Sequence, residues 1–367
     1  MPRDEQADDP LAFTQRLLSL LDEGRRTATY KLAVVLALID CCAVHSDASG
    51  RAPDAISTRD LATRVAELYW PQVRPHETAS RILRQSSQPR AIAVDSVAQL
   101  RDVAGRHGAT TFEAARARVP GDVERCLDKV ELTLVRMPLG KLQRPLGFVE
   151  ASNDYPRFLY DDGSFHERVR KTELPLPVRL EPGVGDWLVS LGGLLRPLVE
   201  LYWTREVARF NGLPQPEDSL HDFLFGVDRV SLHRFGRGLT SLHGGRCFYC
   251  GDALRPGNVQ IDHFVPWSRI PNDGLTNLVP ADGRCNSGKR DNYADLDLLA
   301  RWAARSTADL GELAAQAQWP LRRDESLSIA RGLYGHLPAG TRLWSERGVF
   351  TTLDEARRSQ VLRLLVA

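Results

Sequence analysis

Lysine is scarce in this chain. Only five of its 48 basic residues are Lys (Lys31, Lys129, Lys141, Lys171 and Lys289), and the other 43 are Arg. A GC-rich coding bias explains this more simply than selection for planar guanidinium groups on phosphate. Net charge is equally small, +1 at neutral pH. That excludes a uniformly basic nucleic-acid binder and leaves room for a local basic patch. No apolar run approaches the ~20 residues that cross a bilayer. The longest, Leu32–Leu38 continuing to Val44, is interrupted by Asp40 and reads as a buried helix. The first ten residues, MPRDEQADDP, contain no apolar stretch of the secretory type, so the expected location is the cytoplasm, without a membrane partner. Six cysteines are too few for a disulfide scaffold in 367 residues, yet three of them fall between positions 247 and 285.

What is present describes an ordinary globular protein, 43% hydrophobic and 26% charged. Its length suits two or three domains. Residues 1–10 are acidic and polar and are expected to be disordered. Period-3.6 patterns then predict helices over Leu11–Leu21 and Ala28–Val44, and over a segment running from Ser57 to Trp70. In the last, Ser57 and Asp60 form a capping box and Pro71 ends the helix. Further helices are predicted over Glu77–Gln85, Val97–Arg106, Thr111–Val119 and Gly121–Arg136. Residues 1–145 therefore read as a helical domain for DNA or partner binding. Within it, residues 81–146 carry twelve Lys/Arg against seven Asp/Glu. Solvated helix faces account for that excess more readily than a DNA-contacting surface, and no helix-turn-helix motif stands out.

Residues 146–240 read as a mixed α/β connection. Short strands are predicted at Gly147–Ala151, Arg157–Tyr160 and Val178–Leu180. A long helix follows from Val184 to Phe210, with Trp187, Tyr202 and Trp203 as core residues, and a short one over Asp218–Phe225. Residues 294–367 read as helical to the end. The fold class is thus mostly α, and no internal repeat is found.

Chemistry concentrates in residues 241–293. Cys247 and Cys250 have the two-residue spacing of a zinc knuckle. Zinc is favoured over a redox pair because no thioredoxin-like βαβ pattern surrounds them. Cys285 is a third thiolate. Asp262-His263 ends a short apolar strand, Val259–Ile261, where neighbouring side chains point to opposite faces. The pair then divides its labour, one residue holding a metal and the other acting as a base beside it. Asn277 precedes a second strand, Leu278–Pro280, and Asn286 opens a helix that carries Lys289. Strand, strand and helix bring Asp262 and Asn286 towards one ion, and an all-oxygen ligand pair selects a hard cation such as Mg²⁺.

The run DHFVPWSRIPNDGLTNLVPADGRCNSGKRDN, from Asp262 to Asn292, with the preceding CFYC, resembles an HNH endonuclease domain of the ββα-metal fold. It is similar to the HNH domain of RNA-guided CRISPR nucleases and to bacterial HNH restriction nucleases, over about residues 243–293. The resemblance implies that Asp262 and Asn286 hold a catalytic Mg²⁺ or Mn²⁺, with Asn286 standing where many members have His. It implies that His263 is the general base, and that Asn277 orients His263 and braces the loop between the strands. It places Lys289 near the scissile phosphate or at the helix end. It also implies one catalytic metal and products with a 5′-phosphate and a 3′-hydroxyl. Members supported by zinc usually have a second CxxC. Here Asp282 stands in its first position, so Zn²⁺ is expected on Cys247, Cys250, Cys285 and Asp282, with His243 as the rival fourth ligand.

Two classes of function follow. One is a metal-dependent DNA endonuclease of bacterial restriction or anti-phage defence, with a homodimer or a partner protein supplying targeting. The other is a catalytically silent HNH-fold subunit that binds nucleic acid. The intact Asp262, His263, Asn277 and Asn286 favour the first. A zinc-stapled scaffold in which the Asp-His pair is incidental is a third, weaker reading.

Overall fold

The computed structural model describes residues 9–22, 27–77, 80–88, 91–144, 155, 157–214, 218–226, 232, 235–255 and 257–366. The chain forms two compact units, Met1–Cys42 with Pro53–Gly226, and Ala43–Ala52 with Val227–Ala367. The architecture is mostly α, with four two-stranded antiparallel sheets among the described residues.

In the first unit, α1 (Pro10–Asp22) is followed by α2 (Tyr30–Val44), which is apolar on every side. A helix without a polar face has to lie inside the fold, and α2 is buried from Leu32 to Ala43. Its Asp40 is buried as well, paired with the buried Arg196, with Arg64 Nε 3.9 Å away. Burial raises the Asp40 pKa, and Arg196 and Arg64 pull against that rise. A short strand, β1 (Ala55–Ser57), leads into α3 (Thr58–Tyr69). Ser57 caps α3 by accepting the Asp60 amide at 3.0 Å and donating to the Asp60 carboxylate at 2.7 Å. Helices α4 (Ile92–Arg106), α5 (Phe112–Arg118) and α6 (Pro120–Arg136) complete the bundle around α3.

Several expectations for this unit need correction. The described residues of Glu77–Gln85, 77 and 80–85, are not helical. The chain instead pairs β2 (Pro75–His76) with β3 (Arg81–Ile82). Beyond β3 its backbone is spent on distant partners: Gln85 O accepts the Thr29 amide, and the Arg84 amide donates to Asn211 Oδ1. Arg157–Tyr160 is not a strand but contributes one isolated bridge, Tyr160 to Leu180. The strand near 178 is β4 (Pro177–Arg179), which pairs Val178 with Ile56 of β1. The predicted long helix is two, α7 (Val184–Ser190) and α8 (Gly192–Asn211). The break falls at Leu191, just before Gly192-Gly193, poor helix formers; a Cβ on Gly192 would approach Ile39 of α2 to 3.1 Å. Trp203 is fully buried, as expected of a core residue, whereas Trp187 and Tyr202 are only half-buried. The unit ends in α9 (Asp218–Phe225). Residues 1–8 and the strand expected at Gly147–Ala151 lie outside the described residues.

The second unit is built on the hairpin of β5 (Val259–His263) and β6 (Leu278–Asp282), in register Asp262 to Val279 and His263 to Leu278. Helix α10 (Gly236–Leu242) precedes it and α11 (Gly283–Lys289) follows β6 directly. Then come α12 (Leu296–Ala303), α13 (Thr307–Ala317) and α14 (Arg323–Gly335). Phe235, Leu239, Leu275, Leu278, Leu310 and Trp319 form a buried cluster against one side of the hairpin, with Ile261 packed on it. Phe264 stacks on the fully buried Trp302 with ring centroids 4.8 Å apart.

The C-terminal region is not helical throughout. A hairpin of β7 (Arg342–Glu346) and β8 (Val349–Thr352) precedes the last helix, α15 (Glu355–Leu364). The turn uses Gly348 at φ 77°, a conformation glycine adopts without penalty. Trp344 of β7 bonds Tyr293 O and Asp295 N through its backbone, and its ring meets Tyr249 edge-on at 5.2 Å. No described helix is long and apolar enough to cross a membrane.

Candidate active site and metal centre

Strand β5 runs through His263, one pair beyond Asp262, so the two side chains leave on opposite faces. Gln260 and Asp262 share the face covered by α11. Asn286 Nδ2 donates to Gln260 Oε1 at 2.5 Å. Lys289, one turn further along α11, places Nζ 3.3 Å from Asp262 Oδ2 and 2.9 Å from His263 O. Tyr249 OH donates to the same Asp262 Oδ2 at 2.6 Å. Burial and the adjacent Asp262 carboxylate raise the Tyr249 pKa well above its ordinary value, so the phenol keeps its proton.

These bonds occupy one oxygen of Asp262 and the amide nitrogen of Asn286. Asp262 Oδ1 and Asn286 Oδ1 have no partner among the described residues. One carboxylate oxygen and one carboxamide oxygen on one face suit a hard cation that keeps several of its own waters. Asp262 is tied to α11 through Lys289, and Asn286 is tied to β5 through Gln260. Lys289 is not where a phosphate would meet it. It is fully buried beneath this face, tying Asp262 and the β5 backbone to the helix.

On the opposite face, His263 is buried beside Trp267, with ring centroids 5.1 Å apart. Its Nε2 lies 2.8 Å from Asp273 Oδ1, and Nδ1 has no partner among the described residues. Asp273 is held by its own backbone. Trp319 Nε1 donates to Asp273 O at 2.6 Å, and the flanking Asn272 Oδ1 accepts the Gly274 amide at 2.8 Å. A Cβ on Gly274 would come within 2.5 Å of Arg322 Cβ, so only glycine fits this turn.

Asn277 is fully buried and makes three side-chain bonds, none to the imidazole. Its amide donates to Val265 O and Asn272 O, and its carbonyl accepts the Val265 amide at 2.8 Å. These bonds brace the loop between the strands; Asn277, expected also to orient His263, makes no bond to the ring, and the carboxylate that meets His263 is that of Asp273. Sequence reasoning missed Asp273, Gln260 and Tyr249. The Asn272-Asp273-Gly274 turn was the available signal for the first, and the alternation of β5 for the second.

The second constellation sits at the start of α11. One ligand atom each from Cys247, Cys250, Asp282 and Cys285 all lie within 4.8 Å of one another. Asp282 is the N-cap of α11: its Oδ1 accepts the amides of Arg284 at 2.8 Å and Cys285 at 3.0 Å. Its Oδ2 turns to Cys250 Sγ, 3.3 Å away. Partial burial disfavours its charge, but the Cys285 amide and the neighbouring thiols pull its pKa well below the carboxylate range. Burial, and then the Asp282 carboxylate, push the Cys285 thiol up. Burial and the Asp282 carboxylate likewise push the Cys250 thiol up, so Cys250 and Cys285 resist ionising unless a cation neutralises them, and the donor set S₃O fits tetrahedral Zn²⁺.

His243 is not in this cluster. It caps the C-terminus of α10 and meets Phe248 edge-on at 5.6 Å. Burial and the nearby Arg305 and Arg301 lower its pKa to about 4. Of the two candidates for a fourth zinc ligand, the geometry brings in Asp282.

Residues 247–294 match the family model described as HNH endonuclease. No curated protein and no solved structure matches the chain.

Proposed function

We propose, from the membership of residues 247–294 in the HNH endonuclease family, that the chain is a DNA endonuclease dependent on Mg²⁺ or Mn²⁺. The observation that carries this reading is the pair of open oxygens, Asp262 Oδ1 and Asn286 Oδ1, set on one face of the strand that ends in the His263–Asp273 pair. The family supports nuclease activity. The proposal extends to metal dependence, DNA as the substrate and a role in restriction or anti-phage defence. Their support is the donor chemistry above and the likeness to bacterial restriction nucleases.

Asp262 and Asn286 would hold the cation, which supplies charge neutralisation at the phosphoryl group when bound. Tyr249 and Lys289 fix the Asp262 rotamer by occupying Oδ2. Gln260 turns the Asn286 carbonyl outward by taking its amide N–H. His263 is the last residue of β5, so its ring would stand at the strand end beside the Asp262 face rather than behind it; Asp273 accepts its Nε2–H, which leaves Nδ1 as the atom that receives a proton from water. The water oxygen forms the new bond to phosphorus, the bond from phosphorus to the 3′ oxygen breaks, and the 3′ oxygen ends protonated. A small ββα module meets mainly the nucleic-acid backbone, so target choice is assigned to the rest of the chain or to a partner.

Conversion of supercoiled plasmid to nicked circle by the purified chain tests the reading. It is expected in Mg²⁺ or Mn²⁺, and is expected to vanish in chelator and in Asp262→Ala. Plasmid bound but left intact would identify a binding module instead. Equal nicking by wild type and Asp262→Ala would reject the site.

A further inference from the structure

Behind the CxxC loop the second unit contains a cavity of about 440 Å³, lined among others by His243, Phe248, Arg301, Arg305, Ser306 and Asp309. It is positive by construction. The guanidinium of Arg301 sits 4.8 Å from the Phe248 ring centre and that of Arg305 6.0 Å from it, so both converge on one aromatic ring. Arg323 stands behind them, donating to Arg305 O at 3.5 Å and Ala303 O at 3.0 Å. Among the described residues none of these three arginines has a carboxylate within ion-pair distance.

They are held instead by backbone carbonyls. Arg301 Nη2 bonds Tyr249 O at 3.0 Å, and Arg305 bonds Leu278 O, Trp302 O and Thr276 O. Carbonyls orient a guanidinium without neutralising it. The surroundings register the excess: burial and Arg323 lower the Arg305 pKa to about 9, and Arg305 and Arg301 help to lower that of His243. The wall is completed by Ser306, N-cap of α13, whose hydroxyl accepts the Asp309 amide at 3.2 Å.

We propose that this cavity binds a phosphate group, supplied by a nucleic-acid strand or by free phosphate. Guanidinium groups with spare N–H donors, one neutral imidazole and a single carboxylate in the wall suit a compact dianion. Tyr249 joins the cavity to the metal face, since its carbonyl bonds Arg301 and its hydroxyl bonds Asp262. A strand lying across the module would thus meet charge on both sides of one residue. The strand as source rests on the nuclease reading, whereas the free anion does not.

The test uses the full chain with no Mg²⁺ or Mn²⁺ added. Inorganic phosphate is titrated by calorimetry and a short fluorescent DNA duplex by anisotropy. Ser306→Asp keeps a helix-capping oxygen and adds a carboxylate to the wall; Asp309→Asn removes the carboxylate already there. The expected order of affinity is Asp309→Asn, then wild type, then Ser306→Asp, with about tenfold or more lost in the last, the worth of a charge-assisted contact. That order for inorganic phosphate assigns a free-anion site, and that order for the duplex alone assigns the strand. Equal binding by all three proteins in both titrations would overturn the proposal. So would equal binding by wild type and Asp309→Asn with loss in Ser306→Asp only alongside a lowered melting temperature. Plasmid nicking is scored separately. A chain that nicks while its variants bind alike loses this site and keeps the nuclease, and the converse result does the opposite.

Discussion

His263 Nε2 and Asp273 Oδ1 lie 2.8 Å apart, joining the end of β5 to a turn ten residues later. The carboxylate settles which ring nitrogen carries the proton, and Asn277 fixes the turn that carries the carboxylate. The imidazole is therefore positioned by the loop between the strands, and the loop by a buried amide.

Two substitutions separate the base from its positioner. His263→Ala is expected to lower plasmid nicking by at least ~10²-fold, the usual size of lost general-base catalysis, with DNA affinity retained. Asp273→Asn is expected to lower kcat by a smaller factor, ~10-fold or more, while KM stays within about twofold, because geometry and tautomer suffer but the base remains. Single-turnover cleavage measures both. An Asp273→Asn enzyme with unchanged kcat would show that the pair plays no part in the reaction.

The divalent ion is expected to depend on three residues in graded fashion. Asp262→Ala and Asn286→Ala should abolish measurable Mn²⁺ binding at the hard-cation site. Gln260→Ala, which releases the Asn286 amide, should weaken binding by roughly 10-fold, as losses of supporting hydrogen bonds around metal ligands do. Calorimetry on the folded, zinc-loaded chain reads all three. Unchanged Mn²⁺ affinity in the first two would remove the ligand assignment.

Zinc should copurify at about one ion per chain, because closed thiolate sites bind tightly and fold with their metal. Asp282→Ala should lose zinc and, with the cap of α11 gone, about 1 kcal/mol of helix stability. His243→Ala should keep its zinc. Elemental analysis after exhaustive dialysis is the check, and a folded wild type with almost no zinc would contradict the site.

Acid should expose His243. Its pKa of about 4 in the folded chain lies below the usual 6.5, so between those values the unfolded state binds more protons than the folded one. Stability is then fully present above the unfolded pKa and falls as pH drops towards 4. The groups that set this are Arg301 and Arg305, with Asp309 on the same cavity wall. His243→Gln should flatten the fall in melting temperature between pH 6.5 and 4.5 by a few degrees. Parallel profiles for variant and wild type would count against it.

Much of the site could be read before any coordinates. The spacing of Cys247, Cys250 and Cys285, and the alternation that parts Asp262 from His263, follow from strand and turn geometry. Ser57 likewise announced its helix. What escaped depends on contacts distant in sequence. Asp273 reaches His263 only because a long loop folds back under Asn277. Lys289 is buried because Tyr249 and Trp344 close over α11, and a lysine gives no local sign of that. The β7–β8 hairpin alternates around Arg347-Gly348 but is too short for its period to stand out. The helix expected over Glu77–Gln85 lost to tertiary partners at Thr29 and Asn211, which no local pattern reports.

Asp282, Cys285, Asn286 and Lys289 fall within eight successive residues, from the cysteine cluster to the face that carries Gln260 and Asp262. A helix advances about 100° per residue. One residue inserted between Cys285 and Asn286 would leave the cysteine cluster whole and swing Asn286 and Lys289 a quarter-turn off Gln260 and Asp262. The second site inherits its angular phase from the first, so spacing here is as much a part of the chemistry as residue type. A chain with every ligand present and one residue too many would hold its zinc and cut nothing.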